Sequence, residues 1–169
     1  MNYYSEHSKV WVSVDCIIFG FEDSKLKLLI GRRQMDPGRG EWSLYGGFVR
    51  VDESLEDAAN RVLYELTGMK KTYMKQVGAF GAIDRDPGER VISIAYCALI
   101  NVSDYDDMLR EQHHLEWVNI DEMPKLYSDH KEMGHAPGSG TVFRPSLHGQ
   151  QLSLTGTDGC LWNAFGAGR

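Results

Sequence analysis

Basic residues are in the minority. The 169-residue chain carries 18 Lys and Arg against 24 Asp and Glu, a formal net charge of -6. A stand-alone nucleic-acid binder presents a basic face, so this balance argues against that class. Long apolar runs are missing, which argues against a membrane span. The opening MNYYSEHSKVWVSVDC has no basic segment followed by a long apolar stretch, so no signal peptide is expected. The three cysteines, Cys16, Cys97 and Cys160, are odd in number and not closely spaced. They predict reduced core thiols in a cytoplasmic protein rather than a disulfide framework. The histidines show no metal-ligand spacing, and the adjacent His113 and His114 are expected to point to opposite faces of a strand. No internal repeat is present. What remains is 42% hydrophobic residues, enough for one globular domain with a core.

Periodicity then places the elements. SKVWVSVDCIIFGF reads as a strand, EDSK as a turn and LKLLIGRR as the returning strand. QMDPGRGE is a loop, and WSLYGGFV a short strand broken by its two glycines. A helix is predicted over Leu55 to Leu66, with Ser54 as N-cap, Asp57 completing a capping box and Gly68 as the left-handed stop. KTYMKQVGAFGAI is a strand, and Pro87-Gly88 suits the centre of a type II turn. VISIAYCALI reads as a central strand, LEWVNI as a short one, and DEMPKLYSDHKEM as a helical turn followed by the start of a last helix. Interleaved strands and helices without a regular βαβ period indicate an α+β fold, or a mixed sheet between helices.

The informative stretch is GGFVRVDESLEDAANRVLYELTGM, Gly46 to Met69. Gly47, Glu53, Arg61, Leu63, Glu65, Gly68 and Met69 fall in register with the Nudix box, G-x5-E-x7-R-E-U-x-E-E-x-G-U, and the chain resembles that family over roughly residues 8 to 133. The resemblance implies the Nudix fold, a mixed β-sheet sandwiched between α-helices. Positions 62, 65 and 66 are expected to share one helix face. In an active member all three are glutamates that hold divalent metal against a diphosphate. Here the face reads Val62, Glu65, Leu66, one carboxylate of three, and Tyr45 stands where many of the family's hydrolases carry proline. Leu55, Ala58, Ala59, Val62, Leu63 and Leu66 also form a continuous amphipathic stripe, which is the plain structural reading of the same residues. The expectation is a domain without hydrolase activity and without a cofactor. If it were active, Glu65 and Glu53 would be the catalytic pair, Glu65 the metal ligand, and Mg2+ or Mn2+ the ion.

A second signature, GAFGAIDRDPGERVISIAYCALI, with VDCIIFGF and EWVNIDEMPKLYSDHKEM, resembles the Nudix-related transcriptional regulators of the NrtR and AraR type. That resemblance implies a domain sensing ADP-ribose or L-arabinose, nearer the arabinose branch, working as a homodimer and reaching DNA only through an appended winged-helix domain. Candidate ligand-binding residues are Arg33 with its neighbour Arg32, Gly46, Gly47, Arg61, Arg85 and Arg90; arginine forms bidentate bonds to phosphate. Trp42 and Phe48 are candidates to pack against a sugar. The competing assignments are a salt bridge of Arg85 or Arg90 with Asp84, Asp86 or Glu89, and core packing for Trp42 and Phe48. A third class, a domain that only dimerises, predicts no small-molecule binding.

After Met133 the composition changes. Eight of the 18 glycines follow, with one acidic residue, Asp158, and no lysine. Residues 1-133 are therefore read as the Nudix-like domain. Residues 134-169 are read as an atypical glycine-rich tail without helical or strand periodicity, expected to pack poorly. It is taken as disordered or as the product of a shifted reading frame, in place of a winged-helix domain. A one-base shift permits an amphipathic continuation of DHKEM there.

Overall fold

A computed structural model of the chain describes residues 3-23, 25-69, 72-105 and 107-134, and the backbone of 144-148, 151-155 and 161-164. The organising element is β1 (Trp11–Glu22), whose central residues are buried on both faces. Such a strand reads as an apolar run rather than as an alternation. It runs parallel to β6 (Val91–Asn101) along its length, from Trp11 opposite Val91 to Phe21 opposite Asn101. Its other edge is shared. The N-terminal half pairs with β4 (Tyr45–Phe48), Ser13 opposite Phe48. The C-terminal half pairs with β2 (Lys25–Arg32), Phe19 opposite Leu28. β2 in turn pairs with β3 (Trp42–Ser43) and β7 (Leu115–Asn119), while β5 (Met74–Phe80) borders β6. The result is a mixed seven-stranded sheet of the α+β class.

Alternation along β1 divides the interior in two. Val14, Cys16 and Ile18 face α1 (Leu55–Thr67), whose Ala58, Ala59, Val62, Leu63 and Leu66 close the first core. Ile17 and Phe19 face the other way, into a second core completed by Leu28, Ile30, Leu44, Leu126 and Met133. Asp15 lies on that second face and is almost fully buried. The capping box of α1 is present as expected: Ser54 Oγ accepts from Asp57 N, and Asp57 accepts from Ser54 N. Gly68 stops the helix at φ 68°, donating to Tyr64 O. Tyr105 Oη donates to Leu66 O at 3.1 Å, satisfying another terminal carbonyl.

Several expectations are corrected. WSLYGGFV breaks at Leu44, not at its glycines, because β3 and β4 pair with different strands. Gly88 has no positive φ, so the Pro87-Gly88 turn is not type II; Asp86 Oδ1 instead accepts from Gly88 N at 2.8 Å. His113 and His114 sit in the turn after a short helix, α2 (Asp107–Gln112), with His114 at φ 54°, and not in a strand. Two expected elements are in place: a helical turn at Ile120–Glu122 and the start of a helix, α3 (His130–Gly134). The tail does contain strands. β8 (Arg144–His148), β9 (Gln151–Thr155) and β10 (Leu161–Ala164) form an antiparallel sheet. The alternation of Gln151-Leu152-Ser153-Leu154-Thr155 is the strand signal that the flanking glycines obscure. The remainder of the tail, Cys160 included, lies outside the described residues. Cys16 and Cys97 are buried free thiols. No helix among the described residues is long and apolar enough to cross a membrane.

Candidate functional site

Where β2 leaves the β1 edge beside β4 lies a cleft of about 170 Å3, lined by Gly31, Arg32, Arg33, Gln34, Met35 and by Ser43 to Gly46. Its arginines are fixed by the loop that follows β2. Arg32 stacks on Trp42 at 3.6 Å and donates to Gly40 O. Arg33 stacks on Tyr127 at 4.2 Å and donates to Pro37 O. Stacking of this kind holds a guanidinium in place while leaving it charged. Gly46 forms part of the wall, and only a glycine fits. A Cβ there would fall well inside contact distance of the Asp15 carboxylate and of Val14 O. A Cβ on Gly47 would lie 3.1 Å from Val62 Cγ2, so that glycine admits the helix to the sheet.

At the box itself the geometry is an internal clamp. Arg61 donates from Nε and Nη2 to the two oxygens of Glu53, at 2.9 and 2.7 Å, and from Nη2 to Phe48 O at 3.1 Å. Arg50 N donates to Glu53 Oε1 at 2.9 Å. These bonds, led by those from Arg61, hold the Glu53 carboxyl down to about 2. The 49-54 loop is thereby stitched to α1. Glu65 receives only the long 3.5 Å contact from Arg61 Nη1 and its side chain is 51% exposed.

Burial divides positions 62, 65 and 66 on their common side of α1. Val62 and Leu66 are 3% and 2% exposed and point into the first core, whereas Glu65 sits on the helix flank. A helical i, i+4 pair follows the apolar stripe once both members are apolar. The donor set does not fit a divalent cation of the kind the family's hydrolases use. Two of three carboxylates are replaced by buried hydrocarbon, and Glu53 is spent on Arg61. Among the described residues no group of three or more His, Cys, Asp or Glu is placed to hold a metal.

The remaining candidate arginines are placed apart. Arg90 donates to Ala82 O and Gly81 O, both at 2.9 Å, and braces its own loop rather than pairing with Asp84, Asp86 or Glu89. Arg85 is buried and its partners are distant in sequence. Nε and Nη2 bind the two oxygens of Asp129 at 2.8 Å each, and Nη2 lies 3.7 Å from Asp15. Trp42 packs against the second core under Arg32, but Phe48 is 53% exposed and leans on the equally exposed Trp11 at 5.4 Å.

Around Arg85 lies a cluster that the sequence patterns did not bring together. It comprises Asp15, Ser43, Ser93, Asp129 and His130. Ser93 Oγ donates to Asp15, and His130 Nε2 is 3.9 Å from Asp15 Oδ2. Ser43 Oγ and Leu44 N approach His130 Nδ1 at 3.0 and 3.2 Å. One signal was available: Asp15 is an acid inside the apolar run SVDCIIF, and a buried charge needs partners.

A split β1 edge, a glycine-lined cleft and a capped helix fastened by an Arg-Glu clamp define a Nudix-fold domain. The NUDIX domain family model matches residues 9-136, and the chain belongs to the Nudix family. It is 34% identical over 124 residues to the ADPR responsive transcriptional repressor NtrR of Acinetobacter baylyi, covering 72% of this chain and 50% of the repressor. The chain thus spans about half the length of that relative. It is 31% identical to an ADP-ribose pyrophosphatase of Methanocaldococcus jannaschii, over 72% of this chain and 69% of that one. Among solved structures, the Nudix domain of Shewanella oneidensis NrtR complexed with ADP ribose aligns with a TM-score of 0.63 at 26% identity, over 78% and 88% of the two chains.

Proposed function

We propose that this domain is the ligand-sensing half of a transcriptional regulator and binds an ADP-ribose-like molecule without hydrolysing it. The observation that carries the reading is the state of the box. Val62 and Leu66 are core residues, and Glu53 is engaged by Arg61 in a structural pair. A box kept as a loop-and-helix brace fits binding better than metal-assisted attack by water. The relatives supply the ligand class. A repressor named for its response to ADPR is 34% identical, and a related Nudix domain is known in complex with ADP ribose. The cleft offers Arg32 and Arg33 on its rim for a diphosphate and glycine-lined backbone for a sugar. On this reading the domain ends near residue 133, acts as a homodimer in the cytoplasm, and makes no DNA contact of its own.

Two other readings have specific support. The stretch GAFGAIDRDPGERVISIAY resembles the arabinose branch, which makes L-arabinose the second ligand to test. The 31% identity to a pyrophosphatase supports hydrolysis with Glu65 as the remaining open carboxylate. Titration calorimetry against ADP-ribose, AMP and L-arabinose separates them. Saturable binding of ADP-ribose, weakened at least tenfold in Arg33→Ala, is expected. Binding of arabinose alone would move the domain to the other branch. Absence of heat with all three ligands would remove the sensing proposal.

A further inference from the structure

Residues 126-134 are tied to the wall of the cleft at several points. Tyr127 N donates to Trp42 O at 2.7 Å, and the Tyr127 ring lies under Arg33. Asp129 takes both donors of Arg85. His130, buried to 6% exposure, reaches Ser43 and Leu44, which are themselves wall residues. These contacts join α3 and the residues before it to the wall.

The ring of His130 is held in one protonation state. Leu44 N–H points at Nδ1, so Nδ1 carries the lone pair and the ring proton sits on Nε2, facing Asp15 Oδ2. The Ser43 hydroxyl has one proton for two acceptors, His130 Nδ1 at 3.0 Å and Leu44 O at 2.6 Å. A second proton on the ring could hydrogen-bond to Ser43 Oγ, which donates to Leu44 O and can still accept, but it would set Nδ1–H against Leu44 N–H and leave that amide without an acceptor. The charged groups facing the ring divide. Asp15 from β1 and Asp129 from its own segment attract the imidazolium; Arg85 from the 81-90 loop and Arg33 after β2 repel it; the edge of Tyr127 lies at 6.0 Å. Burial outweighs the carboxylates, and the imidazole titrates below its ordinary range.

We propose that His130 is a protonation-sensitive latch: neutral, it accepts from Leu44 N and pins α3 to the cleft wall; protonated, it releases residues 126-134. The latch stands on these contacts alone and does not depend on which ligand the cleft takes. Of the groups that set it, Arg33 lines the cleft and Asp15 abuts the wall residue Gly46. A charged ligand held by Arg33 is therefore expected to shift the same equilibrium.

The test is amide hydrogen exchange on the whole chain at pH 7.5 and 5.5, corrected for intrinsic exchange, in the native protein and in His130→Asn. Asparagine can accept from Leu44 N and does not titrate. On acidification, exchange at Leu44 and at 126-134 should rise by about tenfold in the native protein relative to the β1 amides, and stay level in His130→Asn. An equal rise in both proteins, or none in the native one, overturns the latch. Should His130→Asn fail to fold, an NMR titration of the native chain decides the matter. The Leu44 amide shift must follow the His130 ring, and a ring that titrates with Leu44 unmoved overturns the proposal.

Discussion

Restoring the family's glutamate at position 66 should damage the protein rather than repair it. Leu66 is 2% exposed and packs in the first core with Val62, Leu63 and β1. A carboxylate placed there cannot stay charged without cost, and burial raises its pKa. Protonation limits the penalty. Neutral pH lies about 2.7 units above the ordinary glutamate value, so the ionisation cost is capped at about 3.7 kcal/mol. Loss of the buried leucine adds about 2 kcal/mol. The sum approaches the whole stability of an ordinary domain, about 5–15 kcal/mol. The sign of the pH dependence is the diagnostic part. A carboxyl whose folded pKa is raised above the unfolded value costs most at high pH and is relieved as pH falls. At pH 5 the ionisation cost is limited to about 1 kcal/mol. Urea unfolding of Leu66→Glu, Leu66→Gln and the native protein at pH 7 and 5 reads this directly, each variant referred to the native protein at the same pH. Leu66→Glu should be the least stable at pH 7 and regain between 2 and 3 kcal/mol, by the same estimate of about 1.4 kcal/mol per unit, at pH 5; Leu66→Gln should show no such recovery. If Leu66→Glu matches Leu66→Gln at pH 7, position 66 faces water. The box would then be open to a metal and the reasoning fails.

Other consequences can be measured in the same way. Asp129→Asn leaves the buried Arg85 guanidinium without its bidentate partner and should cost about 3–5 kcal/mol by chemical denaturation, whereas Asp86→Asn should cost little. Glu53, held down to about 2, contributes stability that is present above its unfolded value near 4.5 and lost as pH falls through the folded one. The acid-unfolding limb of Glu53→Gln should therefore be flatter than that of the native protein. Below about pH 6.5 the opposite charge type adds to acid sensitivity: His130, depressed in the fold, destabilises the native state as the unfolded chain takes up its proton. Gly46→Ala should prevent folding or shift Tm by more than 10 °C, because the added methyl meets Asp15 and the Val14 carbonyl.

The fold was largely legible because its signals are local. Ser54, Asp57 and Gly68 announce the ends of α1, and the apolar run from Val14 to Phe19 announces a doubly buried strand. The loss of two box carboxylates was legible from identity alone. Where their replacements point was not, because three positions at i, i+3 and i+4 can straddle the boundary between an inner face and a flank. The Arg85-Asp129-His130-Asp15 cluster was out of reach for a different reason. Its members come from β1, the 81-90 loop and the start of α3 with the residue before it, up to 115 positions apart in sequence, as from Asp15 to His130, and no period links them. Arg85 was singled out as a ligand candidate on its type, but its partners depended on the topology that brings residue 129 across the sheet. Phe48 was assigned to the core, but as the last residue of β4 it is 53% exposed and leans on Trp11.

The claim that the box braces the fold and no longer performs hydrolysis is tested most directly by phosphorus NMR of ADP-ribose mixed with the protein in stoichiometric amounts, with Mg2+ or Mn2+ present. The account predicts diphosphate resonances that shift or broaden on binding and persist unchanged in amount through many hours. Metal-dependent appearance of AMP and a ribose phosphate, abolished in Glu65→Gln, would contradict it.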